Sequence, residues 1–95
     1  MAAYLVATVR ISDPVRYAAY TSGIAGLAEK HGGESVVKGL VDEILEGEVP
    51  VGERVVVTRF PDAKSVRSYI ASDQYQAAKA HRIGAAELIM RLVPG

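Results

Sequence analysis

A chain of 95 residues, 49% apolar and 23% charged, has the composition of one globular domain spanning residues 1–95, not of a disordered segment. Eleven Lys and Arg balance eleven Asp and Glu, so the cationic excess that non-specific binding to nucleic acid or to an anionic membrane requires is missing, and neither is an expected partner. With no cysteine and only His31 and His81, there is no disulfide framework, no thiolate nucleophile and no His-rich metal cage, so neither metal nor cofactor is expected.

The first element is Tyr4–Ile11. Leu5, Ala7, Val9 and Ile11 alternate with Tyr4, Val6, Thr8 and Arg10, which predicts a strand with one fully apolar face. No basic residue precedes its apolar stretch, as a secretory signal requires, and no apolar run nears the ~20 residues of a membrane span. The cytoplasm is therefore the default address. Asp13-Pro14 supplies an N-cap and a first helical residue. The helix that follows carries a stripe of Tyr17, Tyr20, Ile24, Leu27, Ala28 and His31. Ala19, Gly23 and Gly26 flank the stripe and permit close approach of another backbone, and Gly32-Gly33 ends the helix. Glu34 to Glu46 reads as a long strand with a bulge or bend at Gly39.

Glu46–Gly52 is a loop by its Gly and Pro content, and Arg54–Phe60, β-branched nearly throughout, is a central strand. Ala63–Ala71 is a short helix with Ala63, Val66, Tyr69 and Ile70 inward. Ser72 or Asp73 offers a second cap, so the helix breaks and restarts through Tyr75, Ala78 and Arg82. Glu87–Val93 is the last strand.

The order β-α-β-β-α-β is that of an α+β ferredoxin-like plait, a four-stranded antiparallel sheet with two helices on one face. Its strand order is expected to be 4-1-3-2. The uncovered face is expected to carry Tyr4, Val6, Thr8 and Arg10, and also Val55, Val57 and Arg59 if Val56, Thr58 and Phe60 face the helices. A face that apolar is expected to be covered by a second copy, making a homodimer through the open sheet face. Arg10 and Arg59 must then find acceptors there.

The chain resembles the Domain of Unknown Function 1330 family from Tyr4 to Pro94. The resemblance rests on Asp13-Pro14 with Tyr17 and Tyr20, Gly32-Gly33, Glu43 with Leu45-Glu46-Gly47, Arg54-Val-Val-Val, Phe60-Pro61, Tyr69 with Ser72, Tyr75-Gln76, and Arg82 with Ala85-Ala86. Lys38-Gly39-Leu40 stands where that family usually has Arg-Gly-Gly, and Arg59 where it usually has an acid. The resemblance implies a dimeric α/β barrel. The family has no established activity, and its wider superfamily includes cofactor-independent monooxygenases, lactone isomerases, haem enzymes and ligand-binding effector domains.

Tyr75 and Arg82, seven apart, share one helix face, and Arg offers a forked set of donors for a carboxylate or carbonyl. With Tyr69 they are the candidate ligand-binding residues; the plainer alternative pairs Arg82 with Glu46 or Glu87. His31, Tyr20 and Glu46 are weaker catalytic candidates. The helix C-terminus, where a His satisfies free carbonyls, is the stronger reading of His31, and Tyr20 is most simply a core aromatic. Glu43 and Glu46, three apart on a strand, face opposite sides and make no carboxylate pair. The first reading is a homodimeric domain with a pocket between helices and sheet for a small anionic or carbonyl ligand. The alternatives are a cofactor-independent monooxygenase- or isomerase-like enzyme and a non-catalytic structural or interaction dimer.

Overall fold

Alternation along β1 (Ala3–Ile11) buries Ala3, Leu5, Ala7 and Val9 on one side and leaves Tyr4, Val6, Thr8 and Arg10 half-exposed on the other. The computed structural model describes residues 1–95 in full. After β1 come α1 (Pro14–Gly23), α2 (Leu27–Lys30), β2 (Glu34–Leu40), β3 (Arg54–Phe60), α3 (Ala63–Ala71), α4 (Asp73–Arg82) and β4 (Ala86–Pro94). The sheet order is β2-β3-β1-β4 and every neighbouring pair is antiparallel, as expected. Register sets Val56, Thr58 and Phe60 beside Ala7, Leu5 and Ala3, so these face the helices. Val55, Val57 and Arg59 fall on the opposite face with Tyr4, Val6 and Thr8. No helix is long and apolar enough to cross a membrane.

The helix starts follow capping chemistry. Asp13 Oδ1 accepts from Arg16 N at 3.2 Å, with Pro14 as first helical residue, and Asp62 Oδ1 accepts from Ser65 N at 2.7 Å. Ser72 settles the break between α3 and α4. Its hydroxyl donates to Tyr69 O at 2.8 Å and accepts from Tyr75 N at 3.2 Å, so one side chain closes one helix and opens the next.

Three expectations need correction. The first helix does not run unbroken to His31: it stops at Gly23, and Gly26 takes a left-handed φ of 75° before α2 begins. The low helix propensity of two glycines so close together outweighs the continuous stripe. The strand predicted over Glu34 to Glu46 ends at Leu40, because residues 41–53 form an irregular arm whose base is closed by Val41 N donating to Glu53 O at 2.9 Å. The bulge lies between Ser35 and Val37 rather than at Gly39. Val36 is left without a partner there, and Gly39 keeps its place opposite Val55.

The core joins Ala3, Leu5, Tyr20, Leu27, Phe60, Val66, Tyr69, Tyr75 and Ala78. Burial of an aromatic such as Phe60, fully enclosed, stabilises by roughly 1.5–3 kcal/mol. Gly23 lets α1 lie against α4: a Cβ added there would stand 2.8 Å from Ala78 Cβ. That contact meets the expectation of a small-residue flank, and it sets the distance at which Tyr20 meets Tyr75.

Candidate functional site

Tyr20 of α1, Tyr69 of α3 and Tyr75 of α4 converge above the inner face of the sheet, all three buried. The Tyr69 and Tyr75 rings meet edge to face at 5.2 Å, and Tyr20 and Tyr75 at 6.1 Å. Tyr17 stands 5.4 Å from Tyr20, and Phe60 5.6 Å from Tyr69.

The seven-residue spacing on α4 does what it predicts. Arg82 Nη1 donates to Tyr75 Oη at 2.8 Å. The same oxygen accepts from Tyr20 Oη at 3.3 Å and donates to Met90 Sδ at 3.4 Å. The guanidinium carbon of Arg82 lies 4.9 Å from the centre of the Tyr20 ring and 6.0 Å from that of Tyr75. Neither expected carboxylate partner is used. Glu87 pairs with Arg10, the only ion pair in the structure, and Glu46 lies exposed in the arm. Arg82 is thus a half-buried cation with no anion beside it.

These surroundings fix protonation. Burial, then the hydrogen bond and charge of Tyr75, hold the Tyr20 phenol far above its ordinary range. Burial, with the Tyr75 and Glu29 charges, pushes Tyr69 up to about 12. Tyr17 is raised by burial. Burial pulls Arg82 down, but its hydrogen bond to Tyr75 and the neighbouring phenols more than offset that and raise it. At neutral pH Tyr20 and Tyr69 are therefore neutral hydroxyls able to donate, and Arg82 is a full cation.

A cavity of about 110 Å³ lies between α1 and the sheet. Tyr17, Tyr20 and Tyr69 form its helical wall, Leu5, Val56 and Met90 part of its floor. Thr21, Thr58 and Lys38 supply its other polar groups, and no carboxylate lines it. Next to it is a wider cleft that shares Tyr17, Thr21 and Lys38 and adds Arg54. Arg82 and Tyr75 do not line the cavity; they stand behind Tyr20, whose ring separates Arg82 from it.

Of the residues singled out in the sequence, Tyr20, Tyr69, Tyr75 and Arg82 are brought together. His31 joins only at the rim, its ring 6.0 Å from Tyr69, with its backbone closing α2 as a helix terminus requires. Glu46 is not at a strand end, because β2 stops at Leu40, and it lies apart in the exposed arm. Lys38, Thr21 and Thr58 were not among the sequence candidates. Period-two alternation back from Leu40 puts Lys38 on the inner face, but that signal is cut short by the bulge at Val36. No three His, Asp or Glu side chains gather where they could hold a metal ion.

The family model described as a domain of unknown function (DUF1330) matches residues 2–95. No curated protein matches the chain. Among solved structures, a protein of unknown function from Rhodopseudomonas palustris is similar, with 21% identity, a TM-score of 0.78, and 99% of this chain and 82% of that one covered. A dimeric ferredoxin-like protein of unknown function from Jannaschia sp. gives 12% identity, a TM-score of 0.72 and full cover of both chains. SnoaB, a cofactor-independent oxygenase from Streptomyces nogalater, gives 13% identity, a TM-score of 0.69, and 99% and 92% cover. At these identities the likeness is one of fold.

Proposed function

The chain belongs to the DUF1330 family, and from that premise we propose that it is a homodimeric small-molecule-binding domain whose pocket between helices and sheet takes a small anionic or carbonyl ligand. One observation carries this reading: the aromatic cavity has no carboxylate on its walls, while Lys38 reaches it from β2 and the unpaired Arg82 lies behind Tyr20. An anion there meets the Lys38 ammonium and the neutral Tyr69 phenol, with the Arg82 charge behind the Tyr20 ring adding a longer-range attraction. Protein cavities of about 150 Å³ admit a benzene-sized molecule, so this one, open to the adjoining cleft, suits a ligand of one ring or fewer. Tyr69 and Tyr20 are its walls, and Tyr75 holds Tyr20 and Arg82 in place.

The test is thermal unfolding with a panel of small carboxylates, phosphates and enolisable carbonyl compounds, in the parent chain and in Arg82→Ala and Lys38→Ala. A ligand at about a hundred times its Kd stabilises by roughly 2.7 kcal/mol. Stabilisation by one class, reduced in both variants, is the expected result. No response to any compound, or one that both variants keep, overturns the reading.

The cofactor-independent oxygenase or isomerase alternative has its own support. Tyr69 is held protonated in the cavity wall and Lys38 lines the same cavity, an arrangement that stabilises a developing enolate rather than one that removes a proton. Oxygen uptake or isomer formation with an enolisable carbonyl compound that stabilises the parent chain would separate enzyme from binding domain.

The homodimer is supported by the uncovered sheet face, where Val37, Ile89 and Val93 are 44–56% exposed, and by the neighbour described as dimeric. A stable interface there should bury more than about 1,200 Å². Sedimentation at micromolar concentration checks it, and a monomer contradicts it.

A further inference from the structure

The 41–53 arm carries five acids, Asp42, Glu43, Glu46, Glu48 and Glu53, and no Lys or Arg. It also leaves Ile44, Leu45, Val49 and Val51 exposed, Leu45 by 84% and Val51 by 99%. A long apolar side chain in water beside uncompensated charge has nothing within its own chain to hold it. The arm leaves the sheet from β2 and β3 but leans over the uncovered face: Val49 and Pro50 share a hollow with Thr8, Ile89 and Arg91, all on that face. Whatever docks on the face must therefore meet the arm.

The complementary surface lies along the opposite edge of the sheet. β4 is an edge strand, with β1 on one side and no strand on the other. Between β4 and the α3–α4 pair runs an apolar groove of about 470 Å³, floored by Val66, Ile70 and Leu92 and rimmed by Arg67 and Arg91. It continues past Arg67 into a second hollow bearing Lys64 and the α3 cap Asp62. Neither Arg67 nor Arg91 is paired with a carboxylate. The groove is thus apolar within and basic at its rim, and the arm is apolar and acidic.

We propose that the acidic 41–53 arm of one copy docks in the β4-edge groove of a second copy, Leu45 and Ile44 entering between Ile70 and Leu92 while the arm carboxylates meet Arg67 and Arg91. The occupant is a second copy: within one chain the arm reaches the uncovered face but no arm residue lines the groove, Leu45 stays 84% exposed, and no arm carboxylate pairs with Arg67 or Arg91. A two-fold pairing of uncovered faces satisfies both arms at once, each copy giving an arm and receiving one. The proposal rests on the dimer proposed above and specifies what clasps it.

Arg67 lies on α3, outside the sheet face, so its charge tests the arm separately. Arg67→Glu, and independently the arm variant Glu43→Lys/Glu46→Lys/Glu48→Lys, should each weaken self-association at low salt by tenfold or more in sedimentation equilibrium. Combining the two should restore most of it. All four positions are exposed, so the fold is spared, and circular dichroism checks this. Because the parent chain has no cysteine, a Leu45→Cys copy mixed with an Ala71→Cys copy should give a mixed crosslink with a short bis-maleimide. A dimer unaffected by either reversal, with no mixed crosslink, overturns the clasp and leaves the sheet-face dimer standing. A parent chain that is monomeric overturns both. Loss on reversing Arg67 alone, with the arm variant neutral, also overturns it, because the groove then holds something other than the arm.

Discussion

Tyr20 and Arg82 stack through a guanidinium 4.9 Å from the phenol ring, and the same guanidinium is tied to Tyr75 at 2.8 Å. Because no carboxylate completes the arrangement, removing Arg82 strands no anion. Arg82→Ala should therefore cost about 1–3 kcal/mol, the sum of a cation–π contact and a charge-assisted hydrogen bond. Losing one partner of a buried ion pair would cost about 3–5 kcal/mol. Urea unfolding distinguishes the two.

Tyr75 Oη accepts two hydrogen bonds, whereas Tyr20 Oη gives one. Tyr75→Phe leaves two donors facing an apolar ring edge and should destabilise by about 2–3 kcal/mol. Tyr20→Phe removes a single donor and should cost about 1 kcal/mol. Equal losses would show that the network is not centred on Tyr75.

Gly23 and Ala78 set the spacing of α1 and α4. Gly23→Ala should destabilise by about 1–3 kcal/mol, even though alanine is the better helix former, because its methyl meets Ala78 at 2.8 Å. Ala78→Gly in the same chain should recover part of that loss. Additive losses in the double variant would refute the contact.

The raised phenols make stability sensitive to alkali. Tyr69 titrates near 12 in the fold against an ordinary value of about 10, so the folded state holds its proton more tightly. Below about pH 10 both states are protonated and the contribution is fully present; it is lost between about pH 10 and 12 as the unfolded chain ionises first. Two units correspond to roughly 2–3 kcal/mol. Tyr69→Phe should flatten the dependence of urea midpoints on pH in that window.

Sequence periodicity located the sheet well. β1 alternates without a break, β3 is marked by its β-branched run, and the two pair in register along their length. Capping residues located the starts of α1 and α4, including the break at Ser72, but not that of α2, which has no side-chain cap. The failures fall where local and tertiary preferences compete. The stripe on the first helix persists through Gly23 and Gly26, yet the backbone turns there. The apolar residues after Leu40 look like strand, but no neighbouring strand extends to pair with them. The aromatic cluster was legible through helical spacing. A pocket between helices and sheet was expected, but its polar lining was not legible: Thr21, Lys38 and Thr58 come from α1, β2 and β3, and which residues face inward on β2 depends on a bulge that composition does not announce.

The interruption at Ser72 has a geometric result. On one unbroken helix, Tyr69 and Tyr75 would be separated by about 120° of rotation and about 9 Å of rise, and their rings would diverge. Because the chain restarts at Ser72, the two rings touch. Their meeting depends on a phase reset at one hydroxyl rather than on the identity of either ring. Moving the reset by a single residue would swing Tyr75 through about 100° and carry Arg82 with it, with the composition of both helices unchanged. Length in this segment is therefore constrained independently of side-chain identity: one residue inserted between Ser72 and Tyr75 would part the rings even with every side chain of the cluster kept.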